Sequence, residues 1–266
     1  MSTRVTRGLR IAVVGGFISF RALFTWLHPS LLLTTMLGYP LLQIVFFTLL
    51  GRATGVAADG FFLIGNAVQT CALAGVYAMV MALANEREFG TLPAILATPA
   101  NRFVVFCGRV LPVIASGMVV SAFGLIAGCL VLGYAPPGSA LPGIALTVAL
   151  TAASCAMFGL ALGAVGLRVR DVWVGANLTY FLLLLLSGAN VPQEALPGWL
   201  AAAGKVLPLT HGIDAAHRLA DGAALRDVRG LLGREALIGL AYGLLGALLL
   251  RVFETASRRH AALDRA

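Results

Sequence analysis

Two long stretches of the chain contain no charged residue, and this feature restricts the fold more than any other. They run from Phe61 to Ala84 and from Val110 to Leu167. A water-soluble domain has about 25% charged residues, whereas this chain of 266 residues has 11% and a mean hydropathy of +0.93. Because lipid offers no partner to backbone N–H and C=O groups, apolar runs of this length predict transmembrane helices.

The apolar runs predict an all-α membrane protein with six transmembrane helices. A transmembrane barrel would show short segments of alternating hydrophobicity instead. No repeat or low-complexity linker divides the chain, so a single domain spanning residues 1–266 is expected. The predicted spans are Ser30–Leu50, Phe61–Ala84, Phe103–Leu132, Leu141–Leu167, Val172–Ala189 and Glu235–Phe253.

The first 29 residues are predicted to form a tail and an interfacial helix. The segment from Leu9 to Leu27 is apolar, but Arg10 and Arg21 flank and interrupt it. A charge near the middle of a span costs a few kcal/mol, so this helix is predicted to lie in the plane of the interface. An additional span and a signal peptide are the alternatives.

The basic residues predict the orientation. With the N-terminus inside, thirteen arginines fall on the cytoplasmic side and six basic residues on the other, so both termini are predicted to be cytoplasmic. This placement of arginines at span ends also explains the net charge of +8, and no nucleic-acid partner is expected. The long outside segment, residues 190–234, is interrupted by Pro197, Gly204 and Pro208, which predicts broken re-entrant helices before the last span.

A short polar segment, Asn85 to Pro99, connects the second and third predicted spans. Its acidic and basic residues could contact a partner surface, and Thr91 followed by Pro93 can start a short apolar helix. Such a segment would form a rigid protrusion that a soluble partner can bind. From spacing alone, an ordinary inside loop whose charges set the topology is the alternative.

This segment resembles a loop of the type-two ABC exporter permeases, the transmembrane subunits of drug and polysaccharide exporters. The family has Glu-x-Glu-x-Gly-Thr-Leu-Glu, a hydrophobic stretch and then Thr-Pro; here Pro93 stands where a carboxylate is frequent. The late outside segment is also similar to the family's, around Pro192, Trp199 and Pro208. The residues that carry the resemblance are Glu86, Arg87, Glu88, Phe89, Gly90, Thr91 and Leu92, followed by Thr98 and Pro99.

The resemblance implies a permease subunit of an ATP-driven exporter in the bacterial inner membrane. Two copies of an ABC ATPase subunit would bind ATP and Mg, and a second permease chain would complete a homodimer. The segment from Glu86 to Leu92 would be the ATPase-coupling loop. No cofactor is expected on this chain itself, because the surroundings of its one lysine, Lys205, do not match a Walker A phosphate-binding loop.

Five polar residues in the first, second and fifth predicted spans could line a substrate path or form hydrogen bonds between helices. Spans dominated by Leu, Ala, Val and Gly favour a hydrophobic or amphiphilic small molecule, such as a drug, antibiotic or natural product; a lipid-linked glycan or lipid is the alternative cargo. The candidate path residues are Gln43, Asn66, Gln69, Asn177 and Tyr180.

Two further patterns concern chemistry and packing. His211, Asp214 and His217 follow one another at a spacing of three, so they share one helix face. They could serve an intramembrane enzyme or a metal site; the favoured prediction is the polar face of a re-entrant helix, with no catalytic or metal-binding residue. Glycine pairs spaced four apart, such as Gly159 with Gly163, predict close helix packing within the chain, with a dimer contact as the alternative.

Overall fold

The computed structural model describes residues 34–55, 58–88, 102–166 and 172–263, together with Ile18. The predicted N-terminal interfacial helix therefore lies outside the described residues, apart from that single position. Nine α-helices occur within the described ranges: α1 Tyr39–Thr54, α2 Asp59–Ala72, α3 Ala78–Glu88, α4 Arg102–Leu132, α5 Leu141–Gly166, α6 Val172–Leu186, α7 Gly198–Gly204, α8 Thr210–Ala220 and α9 Arg229–Leu263.

Two π-helical turns interrupt or extend these helices. Thr34–Gly38 precedes α1, and Leu73–Tyr77 joins α2 to α3 so that the three segments form one continuous rod. Short 3-10 turns, Gly138–Ala140 and Gln193–Ala195, precede α5 and α7. A π turn inside an α-helix is rare and frequently marks a functional position.

Four stretches of the described chain are long and apolar enough to cross a membrane. They are Asp59–Ala84, Gly108–Leu132, Gly138–Gly166 and Arg229–Val252. They correspond to the second, third, fourth and sixth predicted spans, although the last helix begins at Arg229, ahead of the predicted Glu235. α6, with 15 residues, and α1 with its π turn lie where the fifth and first spans were predicted. The count of six crossings stays a prediction.

α5 lies at the centre of the bundle and is packed between α9 and the rod formed by α2, the π turn and α3. Glycines let the backbones touch. A Cβ atom added at Gly159 would lie 2.9 Å from the carbonyl oxygen of Gly75, and one added at Gly239 would lie 2.9 Å from the Cα of Ser154. In lipid, such van der Waals contact replaces the hydrophobic effect as the force between helices. Glycine-mediated packing within the chain is therefore confirmed.

The buried side chains form two clusters. The larger one joins α2, α5 and α8, and includes Leu63, Ile144 and Ile213. The smaller one surrounds Leu83 and Leu160, where α3 and α4 meet α5. We call the two ends of the bundle the α8 end, where α8 packs on the beginnings of α2 and α5, and the α3–α4 end, where the chain leaves α3 and enters α4.

Substitution of Gly159 tests the backbone contact at the centre. Gly159→Ala should lower the free energy of unfolding by about 1–3 kcal/mol, because the new methyl group meets backbone atoms that cannot move aside. Gly230→Ala is the matched control, since a Cβ there meets nothing within 4 Å and alanine favours a helix. Thermal unfolding in detergent measures both. Equal stability of the two variants would contradict the packing described above.

Candidate functional site

Three of the predicted path residues are joined in a buried hydrogen-bond network. The Gln43 amide donates to Asn66 Oδ1 at 3.0 Å, and the Tyr180 hydroxyl donates to Gln43 Oε1 at 2.8 Å. Asn66 in turn donates to Asn190 Oδ1, in the segment after α6, at 2.8 Å. The network ties α1, α2 and α6 together. In this arrangement the side chains bond to one another, so a substrate path along them requires these bonds to open.

Gln69 takes part in a second link of the same kind. It is fully buried, and its Oε1 accepts a hydrogen bond from the Ser187 hydroxyl at 2.9 Å. Since Ser187 follows α6 directly, this bond holds the end of α6 against α2 one helical turn away from Asn66. The network around Gln43 and this bond thus hold α2 and α6 together at two positions along their length.

Asn177 belongs to a different, exposed surface. It accepts a hydrogen bond of 2.6 Å from the hydroxyl of Tyr77, which ends the π turn. The Tyr77 ring centroid lies 5.9 Å from that of Tyr180 and 6.5 Å from that of Trp173. Sequence reasoning missed Tyr77 and Trp173. In the sequence, each is only an aromatic residue with a polar group at the edge or in the interior of an apolar run. Such a residue is equally typical of ordinary helix packing.

The predicted coupling loop is described only at its first residues. The backbone of Glu86, Arg87 and Glu88 completes α3, while their side chains and the whole of 89–92 lie outside the described residues. The described structure places these three residues at the last turn of α3, which is the helix that enters the α3–α4 connection.

Arg109 joins the two helices that flank this connection. Its side chain is 5% exposed, and Nη1 donates to the carbonyl oxygen of Ala82 in α3 at 2.7 Å. The bond is charge-assisted and therefore stronger than a neutral one. Leu83 and Val110 pack beside it in the smaller cluster. α3 and α4 are thus held at a fixed separation where they carry the predicted loop.

A buried carboxylate, which sequence reasoning did not assign to a site, fixes the beginning of α8. Glu235 of α9 is fully buried; its Oε1 accepts from the Leu209 backbone N–H at 3.0 Å and its Oε2 from the Gly212 N–H at 3.3 Å. Leu209 has a φ of 87°, a left-handed conformation that is unfavourable for leucine. A carboxylate at a helix N-terminus also interacts favourably with the helix dipole, so Glu235 holds this corner in place.

The three polar residues of α8 have separate partners. His211 Nε2 donates to the carbonyl of Lys205 at 3.2 Å, and Asp214 forms an ion pair of 2.8 Å with Arg218. His217 instead faces α2. Within the part of the chain that the structure describes, no group of three His, Cys, Asp or Glu residues could hold a metal ion. The three side chains therefore bond to three different groups, and the favoured assignment of a polar helix face stays a prediction.

Comparison with known proteins identifies the class. The profile of the ABC-2 type transporter family matches residues 18–218, so the chain belongs to this family. It is 26% identical over 144 residues, 50% of this chain and 36% of the relative, to the probable multidrug ABC transporter permease YbhR of Escherichia coli K12. It is 27% identical over 139 residues, 52% of this chain and 37% of the relative, to the inner membrane transport permease YhhJ of the same organism.

The match confirms the predicted family. The chain is a multi-pass membrane protein of the ABC-2 type transporter family, whose members are transport subunits rather than catalytic ones. The chain spans little more than a third of the length of these curated relatives.

Lys205, the one lysine of the sequence, offers a probe of the corner held by Glu235, because endoproteinase Lys-C cuts only after lysine. Glu235→Gln should increase the rate of this cut several-fold, since the amide keeps one acceptor and leaves one buried N–H without its bond, at a cost of about 1–3 kcal/mol. Glu194→Gln, at an exposed position nearby, is the control. An unchanged cutting rate in Glu235→Gln would show that the carboxylate does not hold the corner.

Proposed function

We propose that the chain exports a hydrophobic or amphiphilic small molecule, such as a drug, antibiotic or natural product, powered by a separate ATPase subunit. The family match is the observation that carries this proposal. The charged segment that begins at Glu86 starts in the last turn of α3, and Arg109 bonds to that helix. The names of the relatives, one a probable multidrug permease, support export of small molecules.

The proposed topology has six crossings, with both termini in the cytoplasm of a bacterium and the α8 end outside. The coupling segment, residues 86–92, then faces the cytoplasm, where a soluble ATPase can reach it. Two copies of that ATPase subunit would supply the sites for ATP and Mg.

Exposed apolar faces on α1 and α6 support a second permease chain as partner. On α1, Leu42 is 71% exposed and Phe46 60% exposed; on α6, Leu178 and Phe181 are similarly uncovered. We propose that part of these faces is covered in a homodimer, which would enclose the surface around Tyr77 between the two chains.

The chemistry of that surface fits an amphiphilic cargo. The rings of Tyr77 and Trp173 offer apolar faces for stacking, while the phenol of Tyr77 and the amide of Asn177 offer a polar edge. The buried network around Gln43 lies on the same helices. Movement of α6 against α2 would break the network and open a way past it, and the π turn supplies a position where the α2–α3 rod can bend.

Transport in inverted membrane vesicles that contain the chain and its ATPase tests the proposal. A fluorescent amphiphile should accumulate only with ATP, and Glu86→Ala/Glu88→Ala should reduce the rate about tenfold or more, because the contact with the ATPase loses its charges. Glu194→Ala, at the α8 end, should transport normally. Inversion of the vesicles is verified if external Lys-C cuts at Lys205 only after detergent has opened them.

Two outcomes would contradict parts of this account. Full transport by the double variant would exclude the coupling role of the segment. ATP-dependent movement of a lipid-linked glycan, with none of the amphiphile, would replace the proposed cargo with the alternative one.

Arg109→Met tests whether the bond between α3 and α4 transmits work. The variant keeps the length of the side chain but loses the bond to Ala82, so substrate should no longer stimulate ATP hydrolysis although basal hydrolysis continues. Arg52→Met is the control, because it removes an arginine at the α8 end, where Arg52 pairs with Asp59 and makes only a long, exposed bond of 3.4 Å to the carbonyl of Leu132. Stimulation equal to that of the native chain in Arg109→Met would show that α3 and α4 transmit motion without this bond.

A further inference from the structure

A cavity of about 330 Å³ lies at the α8 end, apart from the network and from the surface around Tyr77. It is bounded by the beginning of α2, the loop after α4 and the end of α8. The lining residues are Ala58, Gly60, Phe61, Tyr134, His217, Ala220 and Asp221. The three small residues leave space between the rings, and no role proposed above uses the cavity.

The charge at this cavity is negative. Asp221 follows the last residue of α8, where the helix dipole adds a partial negative charge. The two arginines nearby are neutralised: Arg52 pairs with Asp59 at 2.7 Å, and Arg218 pairs with Asp214 at 2.8 Å. In the described part of the chain Asp221 has no ion-pair partner of its own. A cation in the cavity would therefore meet a carboxylate with no competing positive charge beside it.

The other walls are aromatic. The His217 ring stacks on the Phe61 ring at 4.4 Å, and its Nε2 donates to the Phe61 carbonyl at 3.0 Å. Burial lowers the pKa of His217, against the opposing effects of the Phe61 carbonyl and of Asp221 and Asp214, so the imidazole is neutral at pH 7 and does not repel a cation. Tyr134 stays a neutral phenol, because burial and the charge of Asp221 raise its pKa.

We propose that this cavity binds a small alkylated ammonium ion, with the Phe61 and Tyr134 rings against the alkyl groups and Asp221 as the counter-ion. Aromatic faces attract such cations. A hard metal cation is a poor match, since Ca²⁺ takes about six or more oxygen ligands and the lining offers one carboxylate. The volume is at the lower limit of small-molecule sites, roughly 300–1,000 Å³, so the cavity suits a head group or a tetraalkylammonium rather than a whole drug.

The site does not depend on the proposed transport function. A ligand there would contact α2, the loop after α4 and α8 together, and would stabilise the arrangement in which they meet. Its binding can be measured on the isolated chain in lipid nanodiscs, without ATP or ATPase. Failure of export would leave this site untouched, and absence of binding here would leave the transport proposal standing.

Calorimetric titration with choline, and with its neutral isostere 3,3-dimethylbutan-1-ol, tests the site. Choline should bind and raise the melting temperature, while the isostere should bind about tenfold more weakly or not at all. Asp221→Asn should weaken choline binding about tenfold. Asp227→Asn removes the same charge from the neighbouring surface and should leave the affinity unchanged. Tyr134→Phe should bind choline as tightly as the native chain does, whereas the affinity of Tyr134→Leu for choline should be several-fold lower.

Several results would overturn the proposal. The native chain could bind choline and its isostere with equal affinity, it could bind neither, or Asp221→Asn could bind choline as tightly as the native chain does. Each variant is first compared with the native chain by thermal unfolding without ligand. Should Asp221→Asn fail to fold, the pair Tyr134→Phe and Tyr134→Leu decides instead, and equal choline affinity in those two variants contradicts the aromatic contact.

Discussion

The direct contact between the backbone of α5 and its neighbours on both sides is the constraint on which the other features depend. Lipid chains are as apolar as leucine side chains, so helices in a membrane gain little from burying apolar area against one another. Gly159 and Gly75 on one side, and Gly239 on the other, remove the side chains that would hold the axes apart. The position of α5 then determines where α3, α8 and α9 can lie.

Charged and polar groups refine this packing at the two ends of the bundle. Arg109 bonds to a carbonyl of α3 at one end, and Glu235 bonds to the backbone N–H groups that begin α8 at the other. Both side chains are buried and ionisable, so their hydrogen bonds are costly to break in a medium of low dielectric. Each therefore joins two helices into a unit that moves together.

Between these ends the links are neutral and weaker. The amides and hydroxyls of Gln43, Asn66 and Tyr180 connect α1, α2 and α6 without any charge. Double-mutant measurements place such bonds in membranes at about 0.6 kcal/mol on average. A bundle with rigid ends and a loosely bonded middle, next to the π turn that ends at Tyr77, fits the movement of α6 away from α2 that is proposed above.

Sequence patterns succeeded where a single property decides the outcome. Hydropathy located the helices from α2 to α5 within a few residues, because any other backbone arrangement in lipid would leave polar groups unpaired. Hydropathy misplaced the start of α9, since Arg229 and Gly230 are not apolar; the Arg229 side chain instead bonds to the carbonyl of Arg226 just before the helix. The spacing of His211 and His217 indicated a shared face, but spacing cannot show that each histidine finds a different carbonyl.

The sequence by itself determined the class of the protein: charge-free runs require helices in a membrane, and the order Glu86 to Leu92 together with the late proline-rich segment marks the ABC-2 family. Tertiary structure alone decided which polar groups meet. Asn66 bonds to Asn190, which lies 124 positions further along the chain, and Tyr77 bonds to Asn177, which lies 100 positions further along. Local propensity carries no information about such distant pairs, because their meeting depends on how closely the glycines allow whole helices to approach.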